Sequence, residues 1–257
     1  VHFYTEKNGI VEPRHFVPMT SQPDKLRPSR LSDMKKAAKE GEAWLPSVTT
    51  IQNILAKHAL INWLIEQHLI TTWKHLDVLC GTFSCDEDRI TETKRLTELQ
   101  MDKAPDAGSD FHDSMDKYIQ DLLSPEHKHY KLCSTASLRI YKETIVNPPA
   151  WRPEEKFVSG AGYGGQVDLS NGDDWIIDYK TKQTAAKFKP GKMVYSDHTM
   201  QLAAYRMGLG LPTARCANLF VCLEDGQMDF HEHAENDLQK GWRKFQHALA
   251  IWQEDNL

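Results

Sequence analysis

No apolar run in this chain is long enough to cross a membrane. Its five cysteines are an odd number and widely scattered, which argues against a disulfide framework. Cys80 and Cys85 lie far upstream of Cys216 and Cys222, and no C-x-x-C occurs. There is no excess of positive charge: 31 Lys and Arg against 36 Asp and Glu leave a net charge of −5. That excludes a globally basic nucleic-acid binder, though not a local basic path on an acidic protein. Internal repeats and low-complexity segments are missing. The opening Val1-His2-Phe3-Tyr4-Thr5-Glu6-Lys7 lacks the basic, apolar and small-residue sections of a signal peptide, so an intracellular, cytoplasmic location is the expectation.

What is present fits a globular protein of one large domain or two small ones, with 40% hydrophobic and 26% charged residues over 257 positions. Residues 1–20 alternate around Asn8-Gly9 and predict a hairpin. Residues 21–31, with Pro23 and Pro28, read as irregular. Ser32-Asp33 is expected to cap a basic helix from Met34 to Glu42. Pro46-Ser47-Val48-Thr49-Thr50 opens a further helix, whose hydroxyl-rich start is either a plain N-cap or an anion contact. Helices follow over 59–79, with a break at His68, over 86–101, from Pro105, and over 134–146. After residue 150 the period changes from 3.6 to 2. Strands are expected at 154–159, 163–169, 175–180, 217–223 and 227–231, with helices at 198–209 and near the C-terminus. The first 105 residues form a hairpin and helical part expected to pack over a core spanning 106–257.

The stretch Trp175-Ile176-Ile177-Asp178-Tyr179-Lys180 organises this core. Alternation along a strand puts Asp178 and Lys180 on one face and Tyr179 on the other. Taken alone, D-x-K reads as an ion pair on an exposed strand at least as well as a metal-and-base pair. Asp168 ends the preceding strand. A two-residue turn on Asn171-Gly172 would put Asp178 on the wrong face. A three-residue loop, Ser170-Asn171-Gly172, pairs Asp168 with Asp174 and brings the two carboxylates to one side. An odd-length loop or an equivalent bulge is therefore expected. Two carboxylates, an imidazole and the carbonyl of Tyr179 suit Mg²⁺ or Mn²⁺. Lys180 would orient water or stabilise developing charge, and would act as a base only if its pKa fell by several units. His112 sits beside an apolar helical stripe and, taken alone, reads as a packed or capped residue before a ligand. Gln201 and Tyr205, four apart, share a helix face whose role is open between structure and site.

In order along the chain, Gly108-Ser109-Asp110-Phe111-His112, Glu155, Gly164-Gly165-Gln166-Val167-Asp168, Ile177-Asp178-Tyr179-Lys180 and Gln201-Leu202-Ala203-Ala204-Tyr205 resemble the motifs of the PD-(D/E)XK nuclease superfamily, in its RecB-like branch. The segment Pro46-Ser47-Val48-Thr49 is similar to a helix start found in mitochondrial genome maintenance exonucleases and in phage or bacterial relatives. A bacterial or phage origin is thus expected, with a mitochondrial one left open. The resemblance implies an α/β restriction-endonuclease-like core, a mixed central sheet flanked by helices, with a helical N-terminal part. It implies His112, Asp168 and Asp178 as metal ligands, Lys180 as the catalytic lysine, and Gln201 and Tyr205 as supports. Glu155 would lie beside the metals, with Glu154 as its rival. It further implies Mg²⁺-dependent exonucleolytic hydrolysis of DNA, in repair or recombination. Some members hold an iron–sulfur cluster on one upstream and three late cysteines. Without the late C-x-x-C, none is expected here.

For the substrate, Lys180, Lys182, Lys187, Lys189 and Lys192 run without an intervening acid. They form either a phosphate-tracking path or a solvated loop. Arg27, Arg30, Lys35, Lys36 and Lys39 make a second basic cluster, and Trp44 and Trp63 are candidates for base stacking or, for Trp63 above all, for core. DNA with free, single-stranded ends is the expected partner, with Ser47, Thr49, Lys182, Lys187, Lys189 and Lys192 as contacts. The rivals are a structure-specific or restriction-like endonuclease, a DNA-binding module without catalysis, and a hydrolase or scaffold unrelated to nucleic acid.

Overall fold

The computed structural model describes residues 2–19, 22, 24–55, 58–101, 105–147 and 150–257, with the side chains of 58–60, 63, 100, 101 and 105–107 left aside. The expectation for the Trp63 side chain lies outside what is described. The chain divides into two compact units, residues 1–55 with 112–257, and residues 56–111.

The hairpin at the N-terminus forms as the sequence predicts. β1 (Phe3–Lys7) and β2 (Ile10–Pro13) are joined by Asn8 and Gly9, both at positive φ (53° and 77°), the twist that suits a two-residue hairpin. A second pair, β3 (Phe16–Pro18) and β4 (Leu26–Pro28), falls partly in the stretch expected to be irregular. Helix α1 (Leu31–Lys39) starts earlier than expected. Asp33 does not cap from outside; it reaches back from the first turn to the N–H of Arg30 at 2.8 Å and takes the Arg27 guanidinium on both oxygens at 2.7 Å. β5 (Leu45–Pro46) pairs with β1, and α2 (Val48–Gln52) is capped by Ser47, whose Oγ accepts from the N–H of Thr50 at 3.0 Å.

The unit of residues 56–111 holds α3 (His58–Lys74), α4 (Leu76–Thr82) and α5 (Asp86–Met101). The break expected at His68 is instead at His75. His68 lies inside the continuous helix, and its ring bonds Thr97 of α5 at 3.0 Å. α5 is polar as expected, with Thr97 buried, and borders a cleft of about 340 Å³ lined by Leu76, Leu79, Arg89 and Ile90.

The remaining elements are α6 (Pro105–Ile119), α7 (Tyr130–Thr144), β6 (Arg152–Ser159), β7 (Tyr163–Ser170), β8 (Trp175–Lys182), α8 (Ser196–Gly208), β9 (Arg215–Cys222), β10 (Met228–Glu232) and α9 (Glu235–Asn256). α7 begins before the expected Ser134, at Tyr130, and the Thr135 hydroxyl bonds the carbonyl of Lys131 at 2.9 Å inside the helix. The five strands form one mixed sheet in the order β10-β9-β8-β7-β6, antiparallel except for the parallel pair β8–β9, which α8 connects. α8 lies on the sheet and α9 on α8. Their core joins Met200, Leu202, Ala203, Phe245 and Trp252 to Val167 and Ile176, and takes in Phe3, Met34, Val48 and Ile51 from the first 55 residues. Trp44 packs at the edge of this core, its ring 6.1 Å from Phe3 and its N–H on Glu42 at 3.0 Å. Cys133, Cys216 and Cys222 are buried as small apolar residues, whereas Cys80 is exposed and Cys85 half-buried.

α8 and α9 touch through Gly241. A Cβ there would lie 3.0 Å from the Thr199 carbonyl oxygen and 3.1 Å from the Cα of Met200, both backbone atoms that cannot yield alone. Gly241→Val is expected to cost about 1–3 kcal/mol of unfolding free energy by forcing the helices apart. Urea unfolding measures it, and an unchanged midpoint would disprove the contact.

Candidate active site

The loop between β7 and β8 decides where the two aspartates fall. Ser170 pairs with Ile176 and Leu169 with Ile177, so the loop is odd-numbered, as the sequence requires. It is wider than expected. The Asn171 side-chain oxygen accepts from the N–H groups of Asp173, Asp174 and Trp175 at 3.1, 3.1 and 2.9 Å, and Gly172 takes φ +71°. The register is therefore four residues off the expected one: carried one step further, it sets Asp168 opposite Asp178, not Asp174. The ladder between β7 and β8 stops after these two pairs, whereas β6–β7 has seven and β8–β9 eight. At the split, the Asp168 Oδ2 accepts from the backbone N–H of Tyr179 at 2.7 Å in place of a strand partner.

Three elements close around this split. From α6, the His112 Nδ1 faces Asp168 Oδ1 at 3.4 Å, and its ring lies edge-on to Tyr179 with centroids 5.6 Å apart. From β8, Lys180 Nζ meets Asp178 Oδ2 at 2.7 Å. From α8, Gln201 Oε1 accepts from Lys180 Nζ at 3.2 Å while its amide N–H donates to the Tyr205 hydroxyl at 2.8 Å. His112, Asp168, Tyr179, Asp178, Lys180, Gln201 and Tyr205 thus form one connected set, drawn from well-separated segments of the chain.

The two carboxylates differ. Burial works against the Asp168 charge, but His112, Lys180 and the Tyr179 N–H outweigh it and hold its pKa below the usual value. Burial raises the Asp178 pKa and the charge of Asp168 adds to it, with Lys180 opposing. Burial would lower Lys180, but Asp178 and Asp168 overcome it and raise its pKa. With no cation on the two aspartates, Lys180 is therefore favoured in its charged form. In His112, too, the pull of Asp168 outweighs burial and raises the pKa.

Sequence reasoning missed four groups. Asn218, paired with Asp178 across the parallel ladder, donates to its Oδ2 at 2.7 Å. His233 and Thr199 stand behind Asn218 in a buried chain. Asp116, one turn after His112, is buried and its pKa is pushed up to about 7, by burial first and then by Glu154 and Asp168. The one visible signal was an amide, Asn218, inside an otherwise apolar strand.

Glu155 stands apart from the aspartates. Its Oε1 lies 3.6 Å from the Arg152 guanidinium and its Oε2 is buried without a hydrogen-bond partner. Glu154, at φ +52°, bonds Gln166 at 2.9 Å and is the acid whose charge reaches Asp116. Ser47 is buried in its cap and bonds the exposed Thr49 hydroxyl at 3.0 Å. Lys187, Lys189 and Lys192 are exposed on a loop pinned by Phe188 and Met193, and Lys182 is half-buried, its pKa lowered by burial and then by Lys187 and Lys180.

As they stand, no three His, Cys, Asp or Glu side chains among the described residues converge to hold an ion. The Lys180 ammonium stands against Asp178 there, and His112 faces Asp168. In kind the donors still fit a hard divalent cation: two carboxylates and an imidazole, all of which bind such an ion readily.

No family model matches the chain, and no curated protein does. Solved structures with a partial likeness include a candidate exonuclease from Eubacterium rectale, 11% identical over 57% of this chain and 67% of that one, with a TM-score of 0.39. An alkaline exonuclease from Laribacter hongkongensis is 13% identical over 57% of this chain and 84% of its own, with a TM-score of 0.29. Likeness at this level carries no argument, and the reading below rests on the site.

Three imidazoles are held neutral, chiefly by burial: His15 and His233 are pushed down to about 4 and His198 to about 3. In the unfolded chain each titrates near 6.5, so the unfolded state binds more protons below that pH. Their stabilisation is complete above pH 6.5 and is lost as the pH falls toward 4, by at most about 1.4 kcal/mol per unit for each. His233 dominates, since screening weakens the effect at the more exposed His15 and His198. Urea midpoints at pH 7.5, 6 and 5 should fall in that order; a flat profile would contradict the burial.

Proposed function

We propose that this chain is a divalent-metal-dependent DNA nuclease that hydrolyses phosphodiesters without sequence specificity, as an exonuclease acting from single-stranded ends. One observation carries the reading: a buried and a half-buried carboxylate of opposite pKa tendency, an imidazole and a lysine meet where two strands of a mixed sheet part. A buried group of that charge has little structural value of its own, because burying ions costs several kcal/mol each before pairing.

Asp168, Asp178, His112 and the Tyr179 carbonyl would hold Mg²⁺ or Mn²⁺, with Glu155, or its rival Glu154, acting through water. Such an ion, when bound, lowers the pKa of water and offsets charge on the phosphate. Lys180, kept protonated by its neighbours, places a positive charge against a phosphoryl oxygen or the incoming water. Gln201 fixes the lysine and Tyr205 fixes Gln201, so the ammonium is already aimed before substrate arrives. Water attacks in line, and no covalent intermediate is involved. Lys182, Lys187, Lys189 and Lys192 would follow the phosphates, and Thr49 is the accessible hydroxyl at the start of α2, with Ser47 holding its turn.

End-labelled single- and double-stranded DNA, with Mg²⁺ or with EDTA, tests this. Cleavage should need the ion, start at ends and spare closed circles; cutting of a circle would make the chain an endonuclease. Asp178→Asn and Lys180→Ala should each lose about 10²–10³-fold in kcat while still binding DNA. Unchanged turnover in both would defeat the mechanism. Replacing Lys187, Lys189 and Lys192 together by alanine should flatten the log–log salt dependence of single-strand binding by about 0.7 per lost phosphate contact. A slope equal to the parent's would remove this loop from the DNA path.

A further inference from the structure

Behind Asp178 runs a chain of buried polar groups that the reaction itself does not use. Asn218 Nδ2 bonds Asp178 Oδ2 at 2.7 Å, His233 Nε2 lies 2.8 Å from Asn218 Oδ1, and Thr199 Oγ1 lies 3.0 Å from His233 Nδ1. Asn218 is 0% exposed, His233 5% and Thr199 9%. We infer that Thr199, His233 and Asn218 form a positioning relay that fixes the rotation of the Asp178 carboxylate and so selects which of its oxygens is presented to the reacting centre. This rests on the nuclease reading above.

Every bond in the chain has one possible direction. The Asp178 carboxylate, beside Lys180, only accepts, so the amide nitrogen of Asn218 must face it. The amide oxygen then faces His233, whose Nε2 must carry the proton. Nδ1 is left bare and accepts from the Thr199 hydroxyl. A neutral imidazole in a single tautomer is required, and burial supplies the neutral form by pushing the His233 pKa down to about 4.

Each member is also anchored by the backbone. Asn218 stands opposite Asp178 in the parallel ladder, and the His233 N–H bonds the Cys216 carbonyl at 2.9 Å. Thr199 belongs to α8, the helix that carries Gln201. α8 therefore reaches Asp178 twice, through Gln201 and Lys180 and through Thr199, His233 and Asn218. Both routes end on the same oxygen, Oδ2, each at 2.7 Å. Rotating the carboxylate would break both bonds, so Oδ1 becomes the oxygen offered to the ion. Orientation of a ligand by groups one bond further out typically changes metal affinity by about 10–100-fold.

The test pairs two substitutions of one hydroxyl. Thr199→Ser keeps the donor; Thr199→Val keeps the shape and loses it. Mn²⁺ binding, followed by the paramagnetic resonance of the free ion, needs no turnover. Thr199→Val and Asn218→Leu should bind Mn²⁺ about tenfold more weakly and lose kcat with KM for DNA unchanged, while Thr199→Ser stays at the parent level. Circular dichroism and melting confirm that each variant folds. If Asn218→Leu does not, the threonine pair decides alone. ¹⁵N resonance of the metal-free protein should show His233 neutral with the proton on Nε2. A proton on Nδ1, or Thr199→Val matching Thr199→Ser in Mn²⁺ affinity, overturns the relay and leaves the nuclease reading intact. A parent protein that binds no Mn²⁺ overturns the metal site, and the relay's role with it.

Discussion

A carboxylate at 3% exposure, Asp178, must be compensated or it will not stay ionised, and the elements around it are placed to do so. Lys180 comes from the same strand two residues on. Asn218 comes from the neighbouring parallel strand, and its own oxygen is met by His233, just past the end of β10. α8 holds the lysine on one side and the histidine on the other. The polar groups would be costly singly; each is tolerable because the next one satisfies it.

The second carboxylate is handled differently. Asp168 occupies the point where β7 and β8 lose their ladder, and it replaces a strand hydrogen bond with its own side chain. One oxygen is used for this and the other faces His112. Two acids of unlike environment therefore stand at one opening, one favoured as the anion and one resisting charge. Nearby, the lysine loop is tied down by Glu224 and Asp229, whose carboxylates accept from the N–H groups of Ala185 and Gly191 at 2.6 and 2.7 Å. Those acids are spent on the backbone. Among the described residues Lys187, Lys189 and Lys192 make no ion pair, so their charge faces outward undiminished.

Much of this could be read from residue types alone. Asn8-Gly9 can hardly be anything but a tight turn, and α5 has the bounds its pattern gave. His112, Asp168, Asp178, Lys180, Gln201 and Tyr205 do meet. Illegible parts were those that depend on partners distant in the chain. The β7–β8 register depended on one asparagine side chain organising a wider loop. Asp33 looked like a cap and works from inside the helix. Asn218 and His233 matter only because two strands forty residues apart run parallel in one particular alignment, and nothing local to either residue encodes that.

That alignment has an effect on assembly of the sheet. In the parallel pair, only Asn218 can sit beside Asp178 and satisfy it. Sliding β9 by one residue would turn the amide to the other face, and by two would bring Cys216 or Phe220 alongside a buried anion. Apolar strands such as this one are otherwise poor at distinguishing neighbouring alignments. The acid therefore favours the one alignment in which its charge is met over those one or two residues away.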